Sequence, residues 1–384
     1  MKNRSILQLT FPVPIIYNFF TYFRAISRNR PQEVCVLVTM TDVAKYAKVS
    51  KMTVSRVLSG NGYVKEETRL AVQNAVQALG YRPNLLAKSL VTGRTNVIAY
   101  VLPDICDPFF GNVCRGVTDI CDELGFTSIV SNATNADSVD NFLNMVIDRK
   151  VDGVIFHHLC ITQEQVQLLL SNGIPSALID NEYALKDAIN VTNENYSGAG
   201  MVTEYLISQG YHRIACVCGS LPRDGMRPED LSYIETFQEK IWNDRTRGCI
   251  DTLHQHGMEP FGMYWGRGSA FMDKAFACGQ KIIREMLTHA ELPDAIYCES
   301  DMIALGLLSE MLELKISVPQ TIALSGHDGL DTCRYLYPRI TTVVQPQYEI
   351  GRLAARSLIS TIEGNSQPQT VSVPSTLFLG DTTA

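Results

Sequence analysis

The chain lacks the short motifs that mark enzymes built on a doubly wound α/β scaffold. It has no Gly-x-Ser-x-Gly elbow, no phosphate-cradling P-loop and no dinucleotide fingerprint after a strand. Nothing pairs a nucleophile with a base, and a fold alone carries no activity. The expectation is a protein that is not an enzyme and needs no cofactor. Metal spacing is missing as well. The eleven cysteines include no Cys-x-x-Cys, the closest set being Cys216-Val-Cys218, and His157-His158 and His254-x-His256 lack a third ligand. No metal site is expected. An odd, dispersed set of thiols suggests reduced, mostly buried cysteines in a cytoplasmic protein.

Long apolar runs are also scarce. The one exception, "ILQLTFPVPIIYNFFTYF", covers residues 6–23 between Lys2/Arg4 and Arg24/Arg28/Arg30. It has the flanks of a signal or anchor segment, but Pro12, Pro14 and polar residues interrupt it, and no small-residue cleavage site follows. The simpler account is that translation begins at Met40 and that residues 1–39 are an extension of doubtful status.

What is present is a soluble composition, 46% hydrophobic and 19% charged, in 384 residues, enough for two or three domains. The net charge of -7 is unevenly spread. Between Met40 and Arg94 nine Lys/Arg face only Asp42, Glu66 and Glu67, a net of +6; residues 1–39 carry +4 and the remainder -17. A small basic module on a large acidic body suggests a polyanion-binding head. An ordinary solvated charged face is the alternative that charge alone leaves open.

The head carries "VAKYAKVSKMTVSRVLSGNGYV". Thr41 or Asp42 can cap a helix over 42–48, with Val43, Ala44 and Ala47 on one face. Ser50 is a natural N-cap for a second helix over 51–58. There Val54, Val57 and Leu58 face inward, and Lys51, Met52, Ser55 and Arg56 are left outside. "KEETRLAVQNAVQALGY" supplies a third helix with Leu70, Val72, Ala75, Val76 and Leu79 as its stripe. Three short helices around one small core make a helix-turn-helix domain, whose second helix fits the DNA major groove. Arg56 can pair with guanine, and Lys51 and Met52 can reach base edges, Met by apolar contact alone. Thr53, Ser55 and, from the loop, Tyr63 suit phosphate oxygens. A small helical module for protein binding is the rival reading.

"RPNLLAKSL" (82–90) follows. Pro83 opens it, Asn84 can cap it, and about seven residues remain, whereas helices under about 12 residues are marginal in water. If two copies meet, Ala87 permits close approach, Leu86 and Leu90 can pack, and Leu90 can wedge open a base step from the minor groove. An ordinary tether fits the composition almost as well.

From Asn96 a strand–helix alternation begins. "VIAYVL", "FTSIVS", "DGVIFHH" and "PSALID" are separated by helices from Phe109 to Gly125, over 138–149 and over 162–172. A second series runs through helix 195–209, "RIACVC", helices 246–257 and 273–289, "DAIYC", helix 301–313, "TIALSG", "RITTVVQP" and helix 346–362. Strands separated by helices predict parallel sheets with right-handed crossovers. So many units exceed one sheet, so the fold class is α/β: an all-α head, then two doubly wound parallel-sheet subdomains with a ligand cleft at the carboxyl ends of the strands. Segment 220–244 breaks the rhythm and reads as an ordered insertion near the cleft, amphipathic around 231–242.

"TDVAKYAKVSKMTVSRVLSGNGYVKEETR" and "LGYRPNLLAKSL" resemble the signature of the lactose/galactose repressor family of bacterial transcription regulators. Further matches are "DPFF" (107–110), "DGVIF" (152–156), "NENYSGAG" (193–200), "SDMIALG" (300–306), "GHD" (326–328) and "ITTVVQP" (340–346). The resemblance spans roughly residues 40–380. It implies a homodimer binding a pseudo-palindromic double-stranded DNA operator, with a core of periplasmic-binding-protein type that holds a small, sugar-like effector. It implies domains over 40–82 (helix-turn-helix), 83–94 (hinge) and 95–384 (two-lobed effector-binding and dimerisation body). Carried over, Lys51, Met52 and Arg56 read bases, Thr53 and Ser55 hold backbone, and Leu90 is the minor-groove lever. In the body Arg245, from "RTRG", and Asp328, from "GHD", become effector contacts, a pair suited to hydroxyl-rich ligands. Phe109, Phe110 and Trp265 become apolar walls, Trp265 by position only. Asn193 stands where the family often has Asp, and Gly329 where a second Asp is common. The expected function is ligand-gated transcription regulation, with repression favoured, in the cytoplasm and without a membrane partner. The competing function is an exported or membrane-anchored solute-binding protein.

Overall fold

The computed structural model describes residues 38–59, 62–81, 93–133, 136–157, 161–181, 184–218, 240–265 and 272–383. Residues 1–37, the linker positions Ala87 and Leu90, and most of segment 220–244 lie outside the described residues. The chain divides into two compact units between Lys88 and Ser89.

The small unit has three helices, α1 (Met40–Tyr46), α2 (Lys51–Ser59) and α3 (Glu66–Leu79). α1 begins earlier than the expected caps at Thr41 or Asp42. Thr39 is the N-cap, and its N–H and hydroxyl donate to the Asp42 carboxylate at 2.9 and 2.7 Å. Asp42 thus occupies the third helical position of a capping box. Val43, Ala44, Val54, Val72, Ala75 and Tyr81 form the core, with Val38 and Met40 packed on its edge. Leu70 is a correction to the expected stripe, being 51% exposed. At 100° per residue it lies about 160° round the helix from Val72, and two short partner helices cover only one side of α3.

The large unit contains two sheets. In the first lobe β1 (Val97–Leu102), β2 (Thr127–Asn132), β3 (Gly153–His157), β4 (Ser176–Ile179) and β5 (Ile189–Asn193) are joined by α4 (Pro108–Glu123), α5 (Ala136–Arg149) and α6 (Gln163–Ser171). The second lobe contains α7 (Asn195–Ser208), β6 (Ile214–Cys218), α8 (Lys240–Gln255), β7 (Gly262–Trp265), α9 (Met272–Met286), β8 (Ala295–Cys298), α10 (Asp301–Glu313), β9 (Ala323–Asp328), α11 (Asp331–Tyr335) and β10 (Thr341–Val344). The chain then returns to the first lobe with α12 (Gln347–Ile362) and β11 (Thr370–Val373), and ends in the second with β12 (Thr376–Phe378).

Strand order is β11-β5-β4-β3-β1-β2 in the first sheet and β12-β10-β9-β8-β6-β7 in the second. The two lobes therefore repeat one winding order. Their strand order reverses between β1 and β3 and between β6 and β8, and ligands of such sheets bind beyond the strand ends at that point. All described pairings are parallel except β10 with β12. An antiparallel edge on a parallel sheet is common. Strands β3, β4, β6 and β8 are buried along their whole length, as strands covered on both faces must be. α4 is capped by Asp107, starts at Pro108 and turns out at Gly125 (φ 76°). It crosses α12 so closely that a Cβ on Gly116 would overlap the Tyr348 carbonyl oxygen. Three connections, after β5, β10 and β11, pass between the lobes.

Candidate nucleic-acid interface and ligand cleft

In the head, the joint between α1 and α2 is closed by backbone bonds from Ala47 N to Val43 O (2.9 Å) and from Val49 N to Ala44 O (3.0 Å). Lys48 sits in the joint at φ 53°, where glycine is at ease and other residues are strained. Ser50 caps α2 as its position predicts, accepting from Thr53 N at 3.1 Å. Lys51, Met52 (64% exposed), Ser55 and Arg56 lie on the outer face, and Tyr63 in the following loop is 91% exposed. Thr53 is half-buried, and its hydroxyl pairs with that of Ser50 at 2.9 Å. Spacing at 51, 52, 55 and 56 puts four polar or flexible side chains on one stripe of a helix whose N-terminal end is capped. Such a face can enter a groove, with the N-terminal turn nearest the base edges.

In the body, Arg245 and Asp328 meet as the sequence led to expect. Arg245 is buried in α8. Its Nη1 donates to Asp328 Oδ1 at 3.0 Å and to the Glu299 main-chain oxygen at 2.5 Å, and its Nε donates to Asn195 Oδ1 at 2.9 Å. Asp328 ends β9 at φ 130°, a rare backbone state for a residue with a side chain. Such strain costs about 1–3 kcal/mol and collects at functional sites. It is held by Gln345 Nε2 donating to Oδ1 at 2.9 Å and by Asp301 N donating to Oδ2 at 3.3 Å. Gly329 follows at φ 75°, and a Cβ there would lie 2.6 Å from Val344 Cα. A side chain here would require the backbone at Val344 to shift.

Asp301, which motif reading passed over, is fully buried beside the pair and accepts from Thr342 Oγ1 at 2.6 Å and Leu330 N at 2.7 Å. Burial first, then the Asp328 carboxylate, pushes its pKa well above the usual carboxylate range, to about 7. Asp328 is also raised by burial, with Arg245 opposing. The guanidinium is bonded to Asp328, and Asp301 is held by Thr342 and the Leu330 main chain.

The first lobe brings apolar groups. Phe109 is half-buried and packs against the cores of both lobes, whereas Phe110 turns into the first-lobe core. His157, at the end of β3, meets Phe110 edge-on at 4.8 Å and Phe109 at 5.7 Å, and its Nδ1 bonds the Tyr100 hydroxyl at 2.7 Å. Asp107, also missed, caps α4 by accepting from Phe109 N at 2.8 Å. It is pushed up to about 6 by burial and then, against that hydrogen bond, by the charges of Asp328 and Asp104. It adjoins Phe109, the residue that packs against the cores of both lobes. Asn193 is buried and donates to Asp180 through both N–H groups, at 2.9 Å from the main chain and 2.5 Å from the amide. Among the described residues, Asn193 Oδ1 and Gln345 Oε1 are buried acceptors with no hydrogen-bond partner. Trp265 ends the edge strand β7, half-buried against the second-lobe core. It stands three strands from Asp328, roughly 14 Å at normal strand spacing. The structure brings Arg245, Asp328 and Phe109 to the lobe boundary; Phe110 and Trp265 stand farther back.

Two family models match: "Bacterial regulatory proteins, lacI family" over residues 39–84 and "Periplasmic binding protein-like domain" over residues 203–383. Catabolite control protein A of Priestia megaterium is 31% identical over 322 residues, 84% of this chain and 91% of that protein. The HTH-type transcriptional repressor CytR of Escherichia coli (strain K12) is 29% identical over 328 residues, 85% of this chain and 90% of its own. Among solved structures, the Lac repressor dimer bound to operator and the anti-inducer ONPF superposes with a TM-score of 0.75 at 21% identity, covering 90% of this chain and 98% of that one.

Proposed function

The chain belongs to the lacI family of bacterial regulatory proteins, and from that premise we propose how its own residues serve a DNA-binding repressor gated by a small molecule. It binds a double-stranded operator as a homodimer, and a sugar-like metabolite in the cleft of the body sets its affinity. The exposed stripe of α2 carries this reading. Arg56, Lys51 and Met52 are the base readers, and Ser55 and Tyr63 contact phosphate. Thr53, already bonded to Ser50, helps hold the start of the helix and offers at most a shared hydroxyl to the backbone of the duplex. Ala87 and Leu90 remain proposed minor-groove contacts within a linker over 83–94, between a head over 40–82 and a body from 95 onward.

In the cleft, Arg245 and Asp328 take hydroxyl groups by charge-assisted hydrogen bonds. The open acceptors of Asn193 and Gln345 suit further hydroxyl donors, and Phe109 gives an apolar wall, with Phe110 and Trp265 behind. A neutral, donor-rich ligand fits this inventory. The cleft reads as a binding site, not a catalytic one, in keeping with relatives that are repressors. The protein is placed in the cytoplasm, where operator DNA is. Nothing observed favours an exported solute-binding protein, and among the described residues no helix is long and apolar enough to cross a membrane.

Selection from a random pool of duplexes by the full chain tests the reading. Pseudo-palindromic sites should be enriched, and their affinity should fall steeply with added salt as neutralised phosphates recover counterions. A pool that stays random, or binding indifferent to salt, overturns it.

A further inference from the structure

Cys216 and Cys218 lie two apart on β6, so their side chains share one face of the sheet. β6 pairs with β8 so that Cys216 is opposite Tyr297, and Glu299 N donates to Val217 O at 3.0 Å just beyond. Glu299 thereby stands beside Cys218 at the carboxyl edge of the second sheet. The sulfur atoms of Cys216 and Cys218 are 3.9 Å apart, and with a Glu299 carboxylate oxygen they all fall within 4.8 Å of one another. α8 covers this face. Its Thr246 hydroxyl donates to the Glu299 carboxylate, and its Cys249 thiol interacts with that of Cys216. All four ligand-bearing residues are buried.

As plain core this is a poor arrangement. A carboxylate is the group least suited to burial among weakly polar thiols, and an apolar side chain would fill the space without that penalty. As a cation site it is well composed. Two or three sulfur ligands and one oxygen match the preference of soft or borderline d10 ions such as Zn2+. A separation of 3.9 Å between sulfurs is close to the edge of a tetrahedron with metal–sulfur bonds of about 2.3 Å. The Thr246 hydroxyl supplies the outer hydrogen bond that orients a ligating carboxylate. Sequence spacing conceals the set, because Cys249 and Glu299 come from α8 and from the end of β8.

We propose that Cys216, Cys218 and Glu299, with Cys249 as the fourth ligand, bind one thiophilic divalent cation of the zinc class. The ion ties β6, β8 and α8 together at a point distinct from the effector pair yet adjoining it, since the main-chain oxygen of Glu299 is also the acceptor for Arg245 Nη1. A thiol ligates as its thiolate, so binding of the cation releases protons to solvent. The site does not depend on the ligand or the operator proposed above.

The full chain, reduced and stripped of metal, is titrated with Cd2+ alone, and thiolate-to-cadmium absorption in the near ultraviolet is read. One equivalent per chain should saturate the band, and Zn2+ should displace it competitively. Cys216→Ser with Cys218→Ser should weaken binding at least a hundredfold, whereas Cys106→Ser, at an exposed thiol, should leave it unchanged. Glu299→Gln, which keeps an acceptor for Thr246, should preserve the band but weaken binding about tenfold, and it serves if the double variant does not fold. No saturable band, a band that survives the double variant, or affinity unaltered by Glu299→Gln overturns the proposal.

Discussion

Arg56 and Arg245 are the same side chain placed in opposite settings. Arg56 stands on the exposed face of a nine-residue helix over a core of five small or medium residues and Tyr81's ring. Arg245 is buried in the body and bonded to Asn195, Asp328 and the Glu299 main chain. In the head, function is displayed outward on a scaffold that does not use it. In the body, the proposed binding groups are themselves structural members. The head can therefore change its proposed reading residues freely, while the body can change its proposed ligand contacts only by re-balancing buried charge. Replacing each arginine separates the two cases.

Arg245→Ala should have the largest effect. It leaves Asp328 buried without its cation, and breaking a buried pair in this way costs about 3–5 kcal/mol. Denaturant unfolding of the body should move by that amount, and ligand response should vanish with it. A body of unchanged stability would show that the guanidinium is not integral to the cleft. Arg56→Ala should do the reverse. Loss of a paired bond to guanine lowers discrimination at one base by about 1–3 kcal/mol, while a surface change of this kind alters stability by no more than about 0.5 kcal/mol. Equal weakening on all operator variants, or a large loss of stability, would remove Arg56 from the readers.

The same contrast decides what could be read from the chain. The caps and short periods of the head are local, so Ser50, Val54 and the outer stripe of α2 were legible. Leu70 was misplaced because an apolar residue on a 14-residue helix was counted with a stripe that it does not share. In the body, "VIAYVL" and the helix over 301–313 were plain, but β5 ("INVTN") and β7 ("GMYW") were not identified. The first mixes polar residues into a strand buried by its neighbours, and the second is four residues long. Arg245 and Asp328 came from motifs. Asp107 and Asp301 escaped because each looks like an ordinary acid at a helix start, and only the fold shows what each one faces. Of the Glu299–Cys216–Cys218 cluster only Cys216-Val-Cys218 is local; Glu299 joins it from a separate segment, so the set could not be read from spacing.

Asp107 allows the body's charge balance to be tested from the other lobe. Its carboxyl is raised to about 6, by burial first and by Asp328 and Asp104 in addition. A raised acid binds its proton more tightly in the folded than in the unfolded state, so stability is highest below its unfolded value near 4 and falls as pH climbs through 6. Asp107→Asn keeps a capping oxygen for Phe109 N and removes the charge. It should stabilise the body by on the order of 1–2 kcal/mol at pH 7.5 and by little at pH 4. Unfolding midpoints of the two proteins that stay parallel across that range would mean that the Asp107 carboxyl is not raised in the folded body.

The smallest effect belongs to the head, at Lys48. Its φ of 53° is left-handed, and it lies in the joint that sets the angle between α1 and α2. An L residue in that state is disfavoured by about 1–2 kcal/mol, and part of that is recovered by the lower backbone entropy of lysine in the unfolded chain. Lys48→Gly should therefore stabilise the head by about 0.5–1 kcal/mol. If Lys48 also neutralises a phosphate, the logarithmic salt slope of DNA binding should drop by about one unit. The two readouts are independent: a stabler head with an unchanged slope makes Lys48 a conformational residue alone. A less stable head would show that the joint depends on the lysine side chain more than on backbone ease.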